Sequence, residues 1–126
     1  MMNVRLSALA LVAVLLPAPI AAQTSMVEYT AFIGEQDLYS SVGVRLTFPW
    51  QVLRQDRANY HRFGLRQPGD EWDPIFDDFE ARGRMEAALQ RGYISSEASD
   101  DIMRGGSTVI VRVFEGGQRV EVDVLP

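Results

Sequence analysis

The sequence predicts an α+β fold: a small antiparallel sheet, built from an N-terminal strand and a C-terminal β-hairpin, packed against three or four short helices. Three observations predict it. Val27, Tyr29, Ala31 and Ile33 alternate with Glu28, Thr30 and Phe32. Val109, Val111 and Val113, then Val120, Val122 and Val124, repeat that alternation on either side of Gly116-Gly117. Between these runs lie segments bounded by helix-capping and helix-ending residues. Period 2 with β-branched and aromatic residues marks strands, and a Gly-Gly pair between two such runs marks a hairpin. An isolated hairpin is marginal in water, so the N-terminal strand becomes the third strand and helices cover one face.

In chain order, residues 1–22 read as a secretory signal peptide. Arg5 gives a short positive region, Leu6 to Leu16 an apolar run of 11 residues without charge, and Pro17 to Ala22 a small-residue stretch that ends in a cleavage point after Ala22. The run is too short for a membrane span, which needs about 20 residues. Residues 23–126 are then one exported domain, periplasmic or secreted, with enough chain for one hydrophobic core.

The strand near Val27 leads into a long connection over 34–47, where Ser40, Ser41 and Gly43 favour turns. A helix follows from Pro49 to about Phe63, with Thr47 as N-cap and Gly64 at its end. Asp73-Pro74 restarts helix as cap and first residue. Ile75, Phe76 and Phe79 form one apolar stripe there. Met85, Ala88 and Leu89 form another on a different side, which predicts a kink or break near Gly83. Gly92 closes this segment, Ser95 or Ser96 caps a third short helix, and Gly105-Gly106 ends it.

Composition excludes several function classes. All 17 acids but only 11 of the 12 basic residues lie beyond residue 22, a net charge of −6 for the exported part. That opposes sequence-independent nucleic-acid binding and adhesion to anionic lipid. Every basic residue is Arg, which reads as the codon bias of a GC-rich bacterial genome. With no cysteine there is no disulfide, thiolate metal site, Cys nucleophile or lipoprotein anchor. His61 is the only histidine, so histidine-based zinc is not expected, and no cofactor is implied. The acidic run from Asp70 to Glu80 lacks the calcium-loop spacing; it complements a helix N-terminus, as Arg54, Arg57, Arg62 and Arg66 complement the end of the preceding helix.

One position is odd. At 100° per residue, Val52, Leu53, Tyr60 and Phe63 share a face of the first helix, and Asp56 sits in its middle with Asn59 at the margin. A carboxylate there must be partnered, neutral or functional. Asp56 is either a buried structural hub, with Arg45 as a candidate partner, or a general acid or base. The structural reading is preferred, because buried charges are usually paired for architecture. Arg54, Arg57 and His61 project as a stripe able to meet an anionic ligand or partner, and Trp50 projects off the Asp56 face as an exposed anchor or a contact with the long loop. No nucleophile motif surrounds His61.

These residues favour an exported, non-catalytic interaction or structural module with a protein partner. The alternative is a small hydrolase or ligand-binding protein with its site around Asp56, Arg57 and the 35–47 loop, since long structured loops often carry function.

Overall fold

The computed structural model describes residues 7–17 and 25–126. Residues 7–17 carry no regular secondary structure and are exposed. Arg5 and the expected cleavage point after Ala22 lie outside the described residues. Among the described residues no helix is long and apolar enough to cross a membrane.

The chain is α+β, as the alternation predicts. Strand β1 (Met26–Ile33) is followed by helices α1 (Pro49–His61) and α2 (Phe79–Arg91), strand β2 (Tyr93–Ile94), helix α3 (Ser96–Arg104) and strands β3 (Ser107–Phe114) and β4 (Arg119–Val124). Two short 3-10 turns lie at Glu35–Leu38 and Glu115–Gly117. The sheet order is β1-β3-β4-β2. β1 pairs antiparallel with β3, from Met26 opposite Phe114 to Ile33 opposite Ser107, and β3 pairs antiparallel with β4. The hairpin turns through Gly116 and Gly117, both at positive φ.

The sheet is mixed rather than purely antiparallel, because β2 adds two residues parallel to β4. Gly92 makes this possible. A Cβ there would lie 2.5 Å from the Val120 carbonyl oxygen, so only glycine lets α2 run directly into the sheet edge.

Period 2 places Tyr29, Ala31 and Ile33 of β1 with Val109, Val111, Val113, Val120 and Val122 in one buried layer. The helices contribute Val52 and Leu53 from α1, Met85, Ala88 and Leu89 from α2, and Ala98 and Ile102 from α3 to the same core. Glu28, Arg112, Arg119 and Glu121 alternate to the other face, where Arg112 meets Glu28 and Arg119 meets Glu121.

Helix boundaries differ from the sequence reading in three places. Phe48, not Thr47, is the N-cap of α1; the Gln51 side-chain oxygen accepts from both backbone N–H groups, at 3.2 Å from Thr47 and 3.3 Å from Phe48. Asp73-Pro74 starts no helix. Asp73 instead accepts from the Ile75 and Phe76 N–H groups to make a tight turn, and α2 begins at Phe79 with Asp78 accepting from the Ala81 N–H. α2 then runs unbroken through Gly83. The stripe that implied a kink is divided between two elements: Ile75 and Phe76 belong to the turn, and Phe79 opens α2, which also carries Met85, Ala88 and Leu89.

The outer edge of β1 is covered by residues 69–71. Thr30 and Phe32 donate their N–H groups to the carboxylates of Glu71 and Asp70, and the Glu71 N–H returns to the Thr30 carbonyl. An exposed strand edge invites pairing with another chain, and these contacts block it. They also fold the 67–73 segment back against α1, which sets the surroundings of Asp56.

Candidate functional site

The buried residues of α1 are Val52, Leu53, Asp56, Arg57, Asn59 and Tyr60. This face is wider than the projected stripe because two elements cover it, β1 through Tyr29 and the returning segment through Asp70 and Asp73. Asp56 is 2 % exposed and Arg57 is wholly sealed. Arg57 donates from Nε to Asp56 Oδ2 at 2.8 Å, and from Nη1 to Asp73 Oδ2 and the Glu71 carbonyl, both at 3.0 Å. Its Nη2 makes no hydrogen bond and stands 3.8 Å from Asp70 Oδ1. The guanidinium lies over the rings of Tyr29 and Tyr60, a desolvated cation–π arrangement.

Asp73 completes the cluster. Its Oδ2 sits 2.7 Å from His61 Nε2, and its Oδ1 takes the Ile75 and Phe76 N–H groups. Asp73 and Asp56 share burial but differ in hydrogen bonding, and that difference separates their protonation. Burial alone would raise Asp73, but hydrogen bonds from His61, Phe76, Arg57 and Ile75 outweigh it and hold Asp73 below the usual carboxylate range. Asp56 receives hydrogen bonding from Arg57 alone. Burial pushes it up to about 8 against the pull of Arg57, with Asp37 and Asp70 adding to the rise. The guanidinium therefore faces three buried carboxyls, Asp56, Asp70 and Asp73, with Asp73 held toward the ionised form and Asp56 pushed toward the protonated one.

The other predicted residues scatter. Arg45 does not partner Asp56. It donates to the backbone carbonyls of Leu38, Leu46 and Met103, tying the 35–47 connection to itself and to α3. That connection meets α1 elsewhere, where Asn59 donates to Asp37 at 2.7 Å; burial raises the Asp37 carboxyl. Arg57 and His61 do not lie on an open stripe, since the 67–73 segment covers both and the His61 side chain is only 6 % exposed. Trp50 is half-buried against the core and stacks on Phe48 at 4.7 Å, so Phe48 carries the exposure. Phe63, expected on the core face, lies beyond the end of α1 and is exposed.

Of the predicted stripe, Arg54 alone reaches a cleft. This cleft of about 260 Å³ lies between α1 and α2, with Ser41 and Leu46 of the long connection on its wall. Arg54, Arg62 and Arg82 line it with Phe63, Phe79 and Glu86. Arg54 pairs with Glu86 and lies over the Phe79 ring, and Arg62 lies over the ring of Phe63.

Sequence reasoning missed Asp73, Tyr29 and Arg82. Asp73 carried a signal, its Asp-Pro capping pattern, but the cap closes a turn. Tyr29 and Arg82 look like ordinary members of a strand and a helix until chain return brings partners to them. Among the described residues no group of three or more His, Asp or Glu side chains converges on a metal position. Among the described residues no hydroxyl is hydrogen-bonded to His61, so none of them stands as a nucleophile attached to the Asp73–His61 pair. No family model matches the chain, and no curated protein or solved structure matches it.

Proposed function

We propose that this chain is an exported, non-catalytic interaction module of the bacterial periplasm or cell surface, whose buried polar cluster holds the fold rather than performing chemistry. The observation that carries the non-catalytic part is the seal around Asp56. A carboxyl raised to about 8 beside one held low is the pairing that acid–base enzymes use. A general acid or base must also come within hydrogen-bond reach of a substrate, and Asp56, Arg57 and Asp73 are walled off by Tyr29, Tyr60 and the 67–73 segment. What the surface offers instead is exposed aromatic side chains, Phe63 and Phe79 at the α1–α2 cleft and Phe48 at the N-terminal end of α1, with Phe79 at 66 % exposure. Such exposed aromatics suit recognition. Export rests on the charge and apolar pattern of residues 1–22.

A second reading, a small ligand-binding protein with its site at the 35–47 loop, is favoured by the α1–α2 cleft, which that loop helps to wall. Native mass spectrometry of the protein purified from the cell envelope tests both. The expected species starts at Gln23 and carries extra mass, a partner chain for an interaction module or a small molecule for a ligand-binding protein. A chain that keeps its first 22 residues, or a bare monomer that turns over an ester, phosphate or peptide substrate, would overturn the proposal.

A further inference from the structure

We propose that the cleft between α1 and α2 binds a small organic anion, with an oxyanion head held by Arg62 and Arg82 and an apolar body against Phe63 and Phe79. This gives the ligand-binding reading above a ligand class and rests on it. Three observations converge. First, the cleft concentrates positive charge in an acidic protein: Arg54, Arg62 and Arg82 line it against one carboxylate, Glu86, which Arg54 already engages. Among the described residues neither Arg62 nor Arg82 has a carboxylate within ion-pairing distance.

Second, Arg82 is held in an unusual state for an arginine without an acidic partner. It is only 4 % exposed, and one N–H donates to the Phe76 carbonyl at 3.1 Å. The residue also lines the cleft, and its remaining nitrogens make no hydrogen bond to the described residues. Burial and the like charges of Arg54 and Arg62 work against the cation, which Asp78 and Asp77 at the start of α2 offset only in part. A guanidinium on a cleft wall with no carboxylate partner is a receptor for an oxyanion, which matches its fork.

Third, the rim is aromatic. Phe63 and Phe79 are each backed by an arginine, so their rings border the charged floor instead of packing into the core. At about 260 Å³ the cleft is smaller than a typical drug-sized site, which suits a molecule of one ring or short chain with a carboxylate or phosphate head.

The test is an NMR titration of the envelope-purified protein, following arginine Nε–H and backbone amide signals. The probes are benzoate and phenyl phosphate, with inorganic phosphate and benzylamine as comparators. Saturable shifts at Arg62, Arg82, Phe63 and Phe79 with benzoate or phenyl phosphate are expected, and none with benzylamine. The tighter of the two anions identifies the head group as carboxylate or phosphate. Arg82→Gln and Arg62→Gln should each weaken binding about tenfold, as expected for loss of a charge-assisted hydrogen bond. Arg62 is exposed, so its variant keeps the test sound if Arg82→Gln disturbs folding. Phe63→Ala and Phe79→Ala should weaken the phenyl probes and leave inorganic phosphate unchanged. The proposal falls if no anion saturates at millimolar concentration, if inorganic phosphate binds as well as phenyl phosphate, or if Arg62→Gln changes nothing. If it falls while mass spectrometry finds a bound partner chain, the interaction module stands without the anion site.

Discussion

The guanidinium of Arg57 lies 4.4 Å from the ring centre of Tyr29 and 4.5 Å from that of Tyr60. In-plane it donates to Asp56 and Asp73; out of plane it meets two aromatic rings. Planarity and a forked donor set are what this position uses, and a lysine ammonium has neither. Removing the cation leaves the buried carboxyls of Asp70 and Asp73 without the guanidinium they face. Arg57→Met should therefore cost about 3–5 kcal/mol in urea unfolding, and Arg57→Lys should recover only a small part of that. A lysine variant as stable as the original would mean that charge alone holds the cluster.

Tyr29 is the second half of this relationship and carries an unused group. Its hydroxyl is buried without a hydrogen-bond partner, while its ring packs on Arg57 and edge-on against Phe76. Burial raises the phenol well above its ordinary value. Tyr29→Phe keeps the ring and removes the unsatisfied group, so thermal unfolding should be unchanged or shifted upward. A drop of several degrees would show that the hydroxyl makes a stabilising contact.

Gly83 lies inside α2, under the Arg54 guanidinium, at a position where a Cβ would find ordinary contact at 3.7 Å. Its φ is not positive, so nothing in the backbone requires glycine. Gly83→Ala should stabilise the domain by about 0.5–1 kcal/mol through helix propensity, raising Tm by a few degrees. A destabilised variant would revive the kink that the sequence suggested and the helix does not show.

The parts legible in the sequence were those governed by local periodicity and capping. Alternating valines gave β3 and β4, alternation from Val27 to Ile33 gave β1, and Gly64, Gly92 and Ser95 marked helix ends. Strand β2 was not legible because two residues carry no period; only the approach allowed by Gly92 makes Tyr93-Ile94 a strand. The break before α2 was misplaced because Asp73-Pro74 caps a turn and a helix alike, and the difference lies in which side chains reach Asp73. Asp56 stood out correctly as a carboxylate on an apolar face. Its partner could not be read, since projection put Arg57 on an open stripe and only the return of residues 67–73 over α1 buries it. The arginine cleft was invisible for the same reason: Arg62 and Arg82 are 20 positions apart and meet only through the packing of α1 on α2.

Sealed beside Arg57, with its carboxyl raised by burial, Asp56 should leave a pH signature in the stability of the fold. The unfolded chain loses the Asp56 proton near pH 4, but the folded state keeps it to about 8. Between those values the native state binds more protons than the unfolded state, so stability falls as pH rises. Asp37, also raised, adds to the same slope. Asp73, held low, acts oppositely: its contribution is present above pH 4 and disappears only in stronger acid.

The most direct measurement is unfolding free energy against pH from 4 to 9 for the original protein and for Asp56→Asn. The original protein should lose stability steadily from about pH 4 to 8. The asparagine variant, which mimics the protonated carboxyl, should show a shallower slope and be at least as stable above pH 8. Parallel curves, or stability of the original protein that rises across this range, would contradict a carboxyl raised by burial and show that Asp56 stays ionised against Arg57.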